Sequence, residues 1–508
     1  MALSNGATSI PTCVVAVALP AIHSAFNASL SELQWTLTAF NLAYSSLLIA
    51  AGRLSDIFGR RLFFLVGSAI FGLAALGASL APTALLLIIG VAVMGVGAAI
   101  LTPASLSILR QEFAADELGL AVGIWGTMGT IVAGVGPALG GVLTEWEWRS
   151  VFWINVPIAA VFFLLAWFST PESRDVNADR HIDFTGLAML VAGLTSLSLA
   201  LIEGQVWVWT SLPTLLLFGV GGALLIGFGF YEHRRRSPLV ELSLFRHRNF
   251  LGANVTVFAL NFALAAFLFF LPLYLQELLG YTALKSGILL LPLSGVMAVT
   301  LLTGGKIADR VGTKIPITAG LLLIAGGSYL LTRLTTTADY SRLWPAMLIL
   351  GAGLGLVITP LNIAAITAVS RAKAGVAAGI LTTIGGLGGV FGVALTGGIF
   401  QQQQDSKMDQ LLAAAGHPLG NNTERELLGI LSGAPAAEKK LATYPVDVQH
   451  IIVQAVHDSF VFGIANVMWF TTGLSIACAI FTAVVMKRQA PPAEEPVEEP
   501  APSAPSVA

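Results

Sequence analysis

Two charged decapeptides stand out in a chain that is otherwise poor in charge. The first is Gly52-Arg53-Leu54-Ser55-Asp56-Ile57-Phe58-Gly59-Arg60-Arg61. The second is Gly305-Lys306-Ile307-Ala308-Asp309-Arg310-Val311-Gly312-Thr313-Lys314. Each places Gly, Asp, Gly and a basic residue at its first, fifth, eighth and tenth positions, and the two lie 253 residues apart (305 − 52). A carboxylate among guanidinium and ammonium groups forms charge-assisted hydrogen bonds, and the flanking glycines permit close helix approach and a tight turn. That is the chemistry of ion pairing at a tight turn, carried by Gly52, Asp56, Gly59, Arg60 and Arg61 in one copy and Gly305, Asp309, Arg310, Gly312 and Lys314 in the other. Groups able to carry a proton are few: Glu32, Glu203 and Asp458 stand at the ends of apolar stretches, as does His23. No metal-ligand cluster, phosphate-cradling loop or nucleophile–base set appears, so the sequence reads as a non-enzyme with no cofactor.

The surroundings of these groups are hydrophobic. Only 11% of residues are charged, 56% are hydrophobic, and the mean hydropathy is +0.81. A soluble domain carries about 25% charged residues, so most of this chain is not built for water. Apolar stretches long enough to cross a bilayer recur at 5–22, 33–54, 62–80, 84–109, 119–143, 151–169, 184–203, 212–231, 250–276, 286–305, 315–333, 343–368, 375–400 and 459–486. That predicts an all-α membrane protein of 14 transmembrane helices, with both termini on one side. No basic stretch precedes the first span, which therefore does not read as a cleavable signal peptide.

Charge sets the orientation. With the Arg53 loop inside, the inner loops collect 18 Lys and Arg residues, while the short outer loops collect four, Arg149, Lys285, Arg333 and Arg342. The positive-inside rule makes that side the cytoplasm, in the cell membrane. The net charge of −2 gives no sign of nucleic-acid binding. Cys13 and Cys478 both fall in apolar segments and read as packing residues.

The duplication extends beyond the charged loops. Thr102-Pro103 recurs as Thr359-Pro360, 257 residues on (359 − 102). Val122-Gly123-Ile124 with Thr127 recurs as Ala378-Gly379-Ile380 with Thr383, 256 on (378 − 122). The expected organisation is a six-helix half over 1–170, two inserted helices over 171–232, and a cytoplasmic linker over 233–249. A second six-helix half over 250–488 then contains a long polar outer loop with some helical stretches at 401–458, and 489–508 form a disordered tail. Paired repeats about an axis along the membrane normal belong to alternating-access transporters, with the substrate bound between them. Polar or aromatic residues inside apolar spans are the cavity candidates: Asn41, Tyr44, Trp125, Asn254, Asn261 and Asn362. A buried Asn can equally hydrogen-bond a neighbouring helix, and both roles stay open here.

The two decapeptides resemble the signature loop of the major facilitator superfamily, which in that family latches the halves and biases the direction of opening. Gly134-Val135-Gly136-Pro137-Ala138-Leu139-Gly140-Gly141 is similar to the antiporter-type motif, carried here by Gly134, Gly136, Pro137, Gly140 and Gly141. The stretches Trp148–Pro157, Asp183-Phe184-Thr185-Gly186, Glu203-Gly204, Leu271–Gln276 and Gly280–Gly287 look like the fourteen-span drug:proton antiporter branch. The resemblance implies a major facilitator fold and a monomer in the lipid bilayer, exporting amphipathic or hydrophobic small molecules in exchange for protons. This chain departs from the family at Pro11 and Ala16 in span 1 and at Val91 and Met94 in span 4, where an acid, an Asn, an Arg and a Gln are usual. The proton carrier is therefore unassigned. An uncoupled facilitator or lipid-moving protein of the same fold, and a non-transporting membrane sensor or scaffold, are the alternatives.

Overall fold

The computed structural model describes residues 2–112, 118–173, 183–204, 207–235, 240–336, 340–369, 374–417, 423, 427–428, 430–431 and 435–487. Helix dominates, and no strand occurs among the described residues. In chain order come α1 (Ala2–Phe26), α2 (Leu30–Phe58), α3 (Arg60–Ser79), α4 (Ala84–Glu112), α5 (Leu118–Trp146), α6 (Ser150–Trp153) and α7 (Asn155–Ser169). They are followed by α8 (Phe184–Glu203), α9 (Leu212–Arg234), α10 (Arg248–Leu273), α11 (Ala283–Leu289), α12 (Leu291–Val311) and α13 (Lys314–Leu331). The last are α14 (Leu343–Thr367), α15 (Ala374–Ala414), α16 (Pro435–Leu441) and α17 (Val446–Val485).

Among the described residues, 12 helical segments have the length and apolar composition to cross a membrane, with α6–α7 and α11–α12 each counting as one. The two expected spans outside that set fall on α2 and α5, each a helix of 29 residues. On α2 the buried polar residues Gln34, Thr36, Thr38, Ser45 and Ser46 lower the hydropathy.

Helices α1 to α5 pack mainly on one another, as do α10, α12 to α15 and α17. The seam between them is formed by α2 on α15, α5 on α11 and α12, and α1 on α10. Helix α8 lies against both α2 and α15, and α9 packs on α8.

Apolar burial gives little drive between helices in lipid, so close approach at small residues does the work. The same contacts occur twice. Gly95 of α4 meets the Phe40 carbonyl of α2, and Gly351 of α14 meets the Leu293 carbonyl of α12. Gly97 of α4 stands against the Phe71 nitrogen of α3, and Gly353 of α14 against the Ile324 nitrogen of α13. The glycines are offset by 256 residues (351 − 95) and their partners by 253 (293 − 40), the offsets of the sequence motifs. The duplication is thus a duplication of packing.

Residues 401–414 continue α15 instead of opening the expected loop, because Gln401-Gln402-Gln403-Gln404 and the residues after them include no helix breaker. Helix α15 has 41 residues and α17 has 40. At about 1.5 Å per residue each is roughly twice the length of a ~30 Å hydrocarbon core. Their far ends pair into a helical cap sealed by Met408, Leu412, Val448, Ile452 and Val456. The expected tail over 489–508 lies outside the described residues.

Candidate functional site

One end of the bundle carries the two decapeptides and is called the basic end; the other is the far end. Most of the first decapeptide is helical. Helix α2 runs to Phe58, and the turn is Gly59 alone, with φ +132° and its N–H donating to the Ser55 carbonyl at 3.1 Å. Gly312 repeats this at the end of α12, with φ +83° and its N–H donating to Ala308 at 2.8 Å.

Around the first turn, Arg60 Nε donates to Asp56 Oδ1 at 2.9 Å and Arg60 Nη1 to Gln111 Oε1 of α4 at 3.0 Å. Glu172 accepts the backbone N–H groups of Arg61 and Leu62, both at 3.2 Å, which caps the start of α3 with a negative charge. Arg61 donates to the Trp167 carbonyl at 2.5 Å and lies over that indole ring at 5.7 Å. All these bonds stay among α2, α3, α4 and the segment ending α7. In the second copy, Asp309 and Arg310 are exposed and form no ion pair among the described residues. Gly52 and Gly305 instead mark helix crossings, where a Cβ would lie 3.4 Å from Pro103 Cβ and 3.1 Å from Thr359 Cγ2.

The glycine-proline motif of α5 is a two-sided joint. A Cβ on Gly136 would lie 2.5 Å from Cys13 Cβ, and one on Gly140 would lie 2.7 Å from the Val14 carbonyl oxygen, both on α1. On the other face, a Cβ on Gly141 would lie 2.7 Å from the Ala283 carbonyl oxygen, and the Pro137 carbonyl abuts Gly287 of α11. Gly134 faces Ser294 with room to spare, at 3.8 Å. Helix α5 is therefore held to α1 and pressed on α11 at successive turns.

The four cavity asparagines share one geometry. Asn41, Asn254, Asn261 and Asn362 each donate Nδ2 to the carbonyl four residues back, at 3.2, 2.8, 3.0 and 2.9 Å. Such a bond leaves the Oδ1 acceptor directed away from the helix. Asn41 and Asn261 are half-buried and Asn362 is exposed, whereas Asn254 is only 2% exposed, so its acceptor is not presented to a cavity. Tyr44 stacks on Phe40, and Trp125 Nε1 donates to Ser105 Oγ at 3.0 Å.

The three proton-carrier candidates have local partners or an end position. Glu32 forms a capping box with Ser29, accepting its backbone N–H at 2.7 Å. Glu203 accepts Trp35 Nε1 at 2.9 Å, tying α8 to α2. Asp458 is half-buried on α17 beside the cap. At the positions where the family carries polar or charged groups, Ala16, Val91 and Met94 are at most 1% exposed within the apolar core. No Asp, Glu, His, Lys or Arg occurs in the central turns of the spans.

The far end holds a group of residues of which sequence reasoning singled out only His23, and whose pairings it missed. Gln276 Nε2 donates to the Val17 carbonyl at 2.9 Å, and Glu145 accepts the Leu284 N–H at 3.2 Å. Gln34 Nε2 reaches the Val393 carbonyl at 3.4 Å, and His23 Nδ1 stands 3.0 Å from Glu277 Oε1. Each of these joins one bundle to the other. The one sequence signal was that Glu277 closes an otherwise apolar run, Leu264–Leu275; its partner, 254 residues away, was not legible.

Two helical bundles with the same internal packing, meeting along a seam and tied at one end, define a transporter that works by rocking one bundle on the other. The chain belongs to the Major Facilitator Superfamily, whose family model matches residues 1–393. It is 31% identical to the Multidrug resistance protein Stp of Mycobacterium tuberculosis over 388 residues, covering 76% of this chain and 72% of that protein. It is 30% identical to the Tetracenomycin C resistance and export protein of Streptomyces glaucescens over 495 residues, covering 96% and 91%. Among solved structures, a bacterial homolog of the human lysosomal transporter Spinster, inward-facing and unoccupied, superposes with TM-score 0.64 at 16% identity, covering 96% and 98%. The inward-open xylose transporter XylE from E. coli superposes with TM-score 0.55 at 14% identity, covering 96% and 95%. These likenesses establish the fold. Members of the family are transporters, not enzymes.

Proposed function

We propose that this chain exports amphipathic or hydrophobic small molecules from the cytoplasm by alternating access, in exchange for protons. The observation that carries this is the seam. Its central turns carry no Asp, Glu, His, Lys or Arg, and half-buried Asn41, Tyr44, Trp125 and Asn261 lie on the helices beside it. Aromatic faces and amide acceptors in an uncharged setting suit molecules with large apolar surface and a few donors. Relatives named for multidrug resistance and for tetracenomycin C resistance and export support the same direction and substrate class.

In this reading the basic end is cytoplasmic, as the 18-to-four charge count favours. The residues 1–170 and 250–488 are the two moving halves, with 171–232 inserted beside the seam. The Asp56 and Asp309 loops are latches that engage across the halves when the cytoplasmic end closes; the far-end bonds hold the opposite, inward-facing state. The proton gradient supplies the drive, roughly 2.3 kcal/mol per charge per 100 mV.

The test uses inverted membrane vesicles carrying the protein. A fluorescent amphipathic dye should accumulate in vesicles with an acidic lumen, and accumulation should stop when the proton gradient is collapsed. Dye that only equilibrates across the membrane, at a rate unaffected by the collapse, leaves the uncoupled facilitator, which apolar Val91 and Met94 would suit. No accumulation under any condition sinks the export reading.

A further inference from the structure

We propose that His23 and Glu277 form a proton-dependent gate at the far end, so that a proton from that side favours its closure. The proposal rests on the transporter reading above and names groups that couple protons to its cycle. His23 lies three residues from the end of α1, and Glu277 lies in a single wide helical turn, Tyr274–Leu278, that follows α10. In that turn the Leu279 N–H reaches back five residues to the Tyr274 carbonyl at 3.2 Å, a winding often found at functional positions. It directs Glu277 across the seam onto His23, with Nδ1 to Oε1 at 3.0 Å. The glutamate side chain is only 7% exposed and the histidine 23% exposed. One residue earlier, Gln276 holds the Val17 carbonyl at 2.9 Å, three residues before Pro20 interrupts the ladder of α1. The pair thus sits at the ends of two helices, at a contact that must part for the far end to open.

The surroundings leave the imidazole as the switching element. Glu277 borders a cleft of about 380 Å³ that is lined also by Ser24, Glu145, Tyr281 and Leu431. Leu431 comes from the segment beneath the helical cap. Lys285 lies 3.6 Å above the Tyr281 ring, Glu147 pairs with Arg149 at 3.5 Å, and Arg149 lies over the Phe26 ring at 5.9 Å. Glu32 is spent on its helix cap. Arg342, His457 and Asp458 stand on neighbouring helices but do not line the cleft. Imidazole is the side chain whose charge ordinarily changes between about pH 5 and 8. Protonated, His23 attracts the Glu277 carboxylate and α1 is drawn to α10; neutral, it keeps at most a hydrogen bond and the attraction falls. Protons arriving from an acidic exterior after substrate release then favour the return to the inward-facing state.

The test is a distance measurement on the full-length protein in nanodiscs. Spin labels replace the exposed Ala25 and Ser341 in a Cys13→Ala, Cys478→Ala background, and double electron–electron resonance reads the far-end separation at about pH 5.5 and about pH 8.5, either side of the imidazole range. In the wild-type pair the short-distance population should be about two- to five-fold larger, relative to the long one, at the lower pH. Glu277→Gln and His23→Gln should each remove that dependence, and the exchanged pair His23→Glu with Glu277→His should restore it. A pH response of equal size in Glu277→Gln overturns the proposal and points to another group, with His457 the first to examine. Dye transport measured on the same samples separates the two ideas: loss of pH-dependent closure with dye transport intact removes the gate only, and absence of transport in the wild type removes the exporter.

Discussion

Cys13 of α1 stands directly over Gly136 of α5, so close that a Cβ on the glycine would lie 2.5 Å from the cysteine Cβ. Two residues earlier in the same motif, the nearest atom to a Cβ on Gly134 would be Ser294 Cβ at 3.8 Å, an ordinary contact. Gly136→Ala should therefore destabilise the protein by about 1–3 kcal/mol through overpacking, and Gly134→Ala by no more than about 0.5 kcal/mol. Cys13→Gly should recover part of the Gly136→Ala loss, because it removes the facing atom. Thermal unfolding in detergent reads all four proteins as a double-mutant cycle with Gly134→Ala as the control. Equal losses for the two alanine variants would show that the motif is generic glycine packing.

Asp56 pairs with Arg60 one helical turn on, and both side chains are partly in solvent, at 35% and 18% exposure. An ion pair of that kind contributes about 0–1 kcal/mol to stability. If the same carboxylate also latches the two halves in the opposite state, its removal should disturb the conformational equilibrium far more than the fold. Asp56→Asn is expected to leave thermal unfolding nearly unchanged while lowering dye transport by about five-fold or more. A variant that transports normally would make Asp56 an ordinary interfacial charge.

Much of this architecture is legible from the chain because its signals are local and repeated. Gly95-Val96-Gly97 and Gly351-Ala352-Gly353 mark the helix crossings of α4 and α14, and Gly59 and Gly312 end their helices by the same turn. What escapes sequence reasoning depends on distant partners. Glu172 reads as one acid in a polar stretch, yet it caps α3 some 110 residues upstream. Glu277 only closes an apolar run in the sequence, and its pairing depends on α1 bringing His23 to it. The end of α15 was misplaced for a different reason: leaving the membrane changes composition without breaking a helix, so polarity at Gln401 marked the bilayer boundary and not the end of the helix.

Glu203 was a candidate proton carrier because it is a carboxylate at the end of an apolar helix. Its partner, Trp35 Nε1 at 2.9 Å, gives it a structural role: the bond ties α8 to α2. Glutamine keeps the acceptor oxygen and loses the charge. Glu203→Gln should therefore cost about 1 kcal/mol or less and leave the pH profile of dye transport in place. Transport that continues in this variant without dependence on the proton gradient would make Glu203 the coupling residue.

Gly59 combines two constraints that a single alanine would violate. Its φ of +132° is a conformation L-residues rarely hold, which costs about 1–3 kcal/mol. A Cβ there would also lie 2.6 Å from Glu172 Oε1, displacing the carboxylate that caps the first N–H groups of α3. Losing a cap of this type costs about 0.5–2 kcal/mol by itself. Gly59→Ala should accordingly be more damaging than Glu172→Ala, and in the double variant the two losses should sum to less than their separate values, since removing Glu172 makes room for the new methyl group. Strict additivity of the two losses in thermal unfolding would mean that the backbone alone demands glycine here, with Glu172 acting independently.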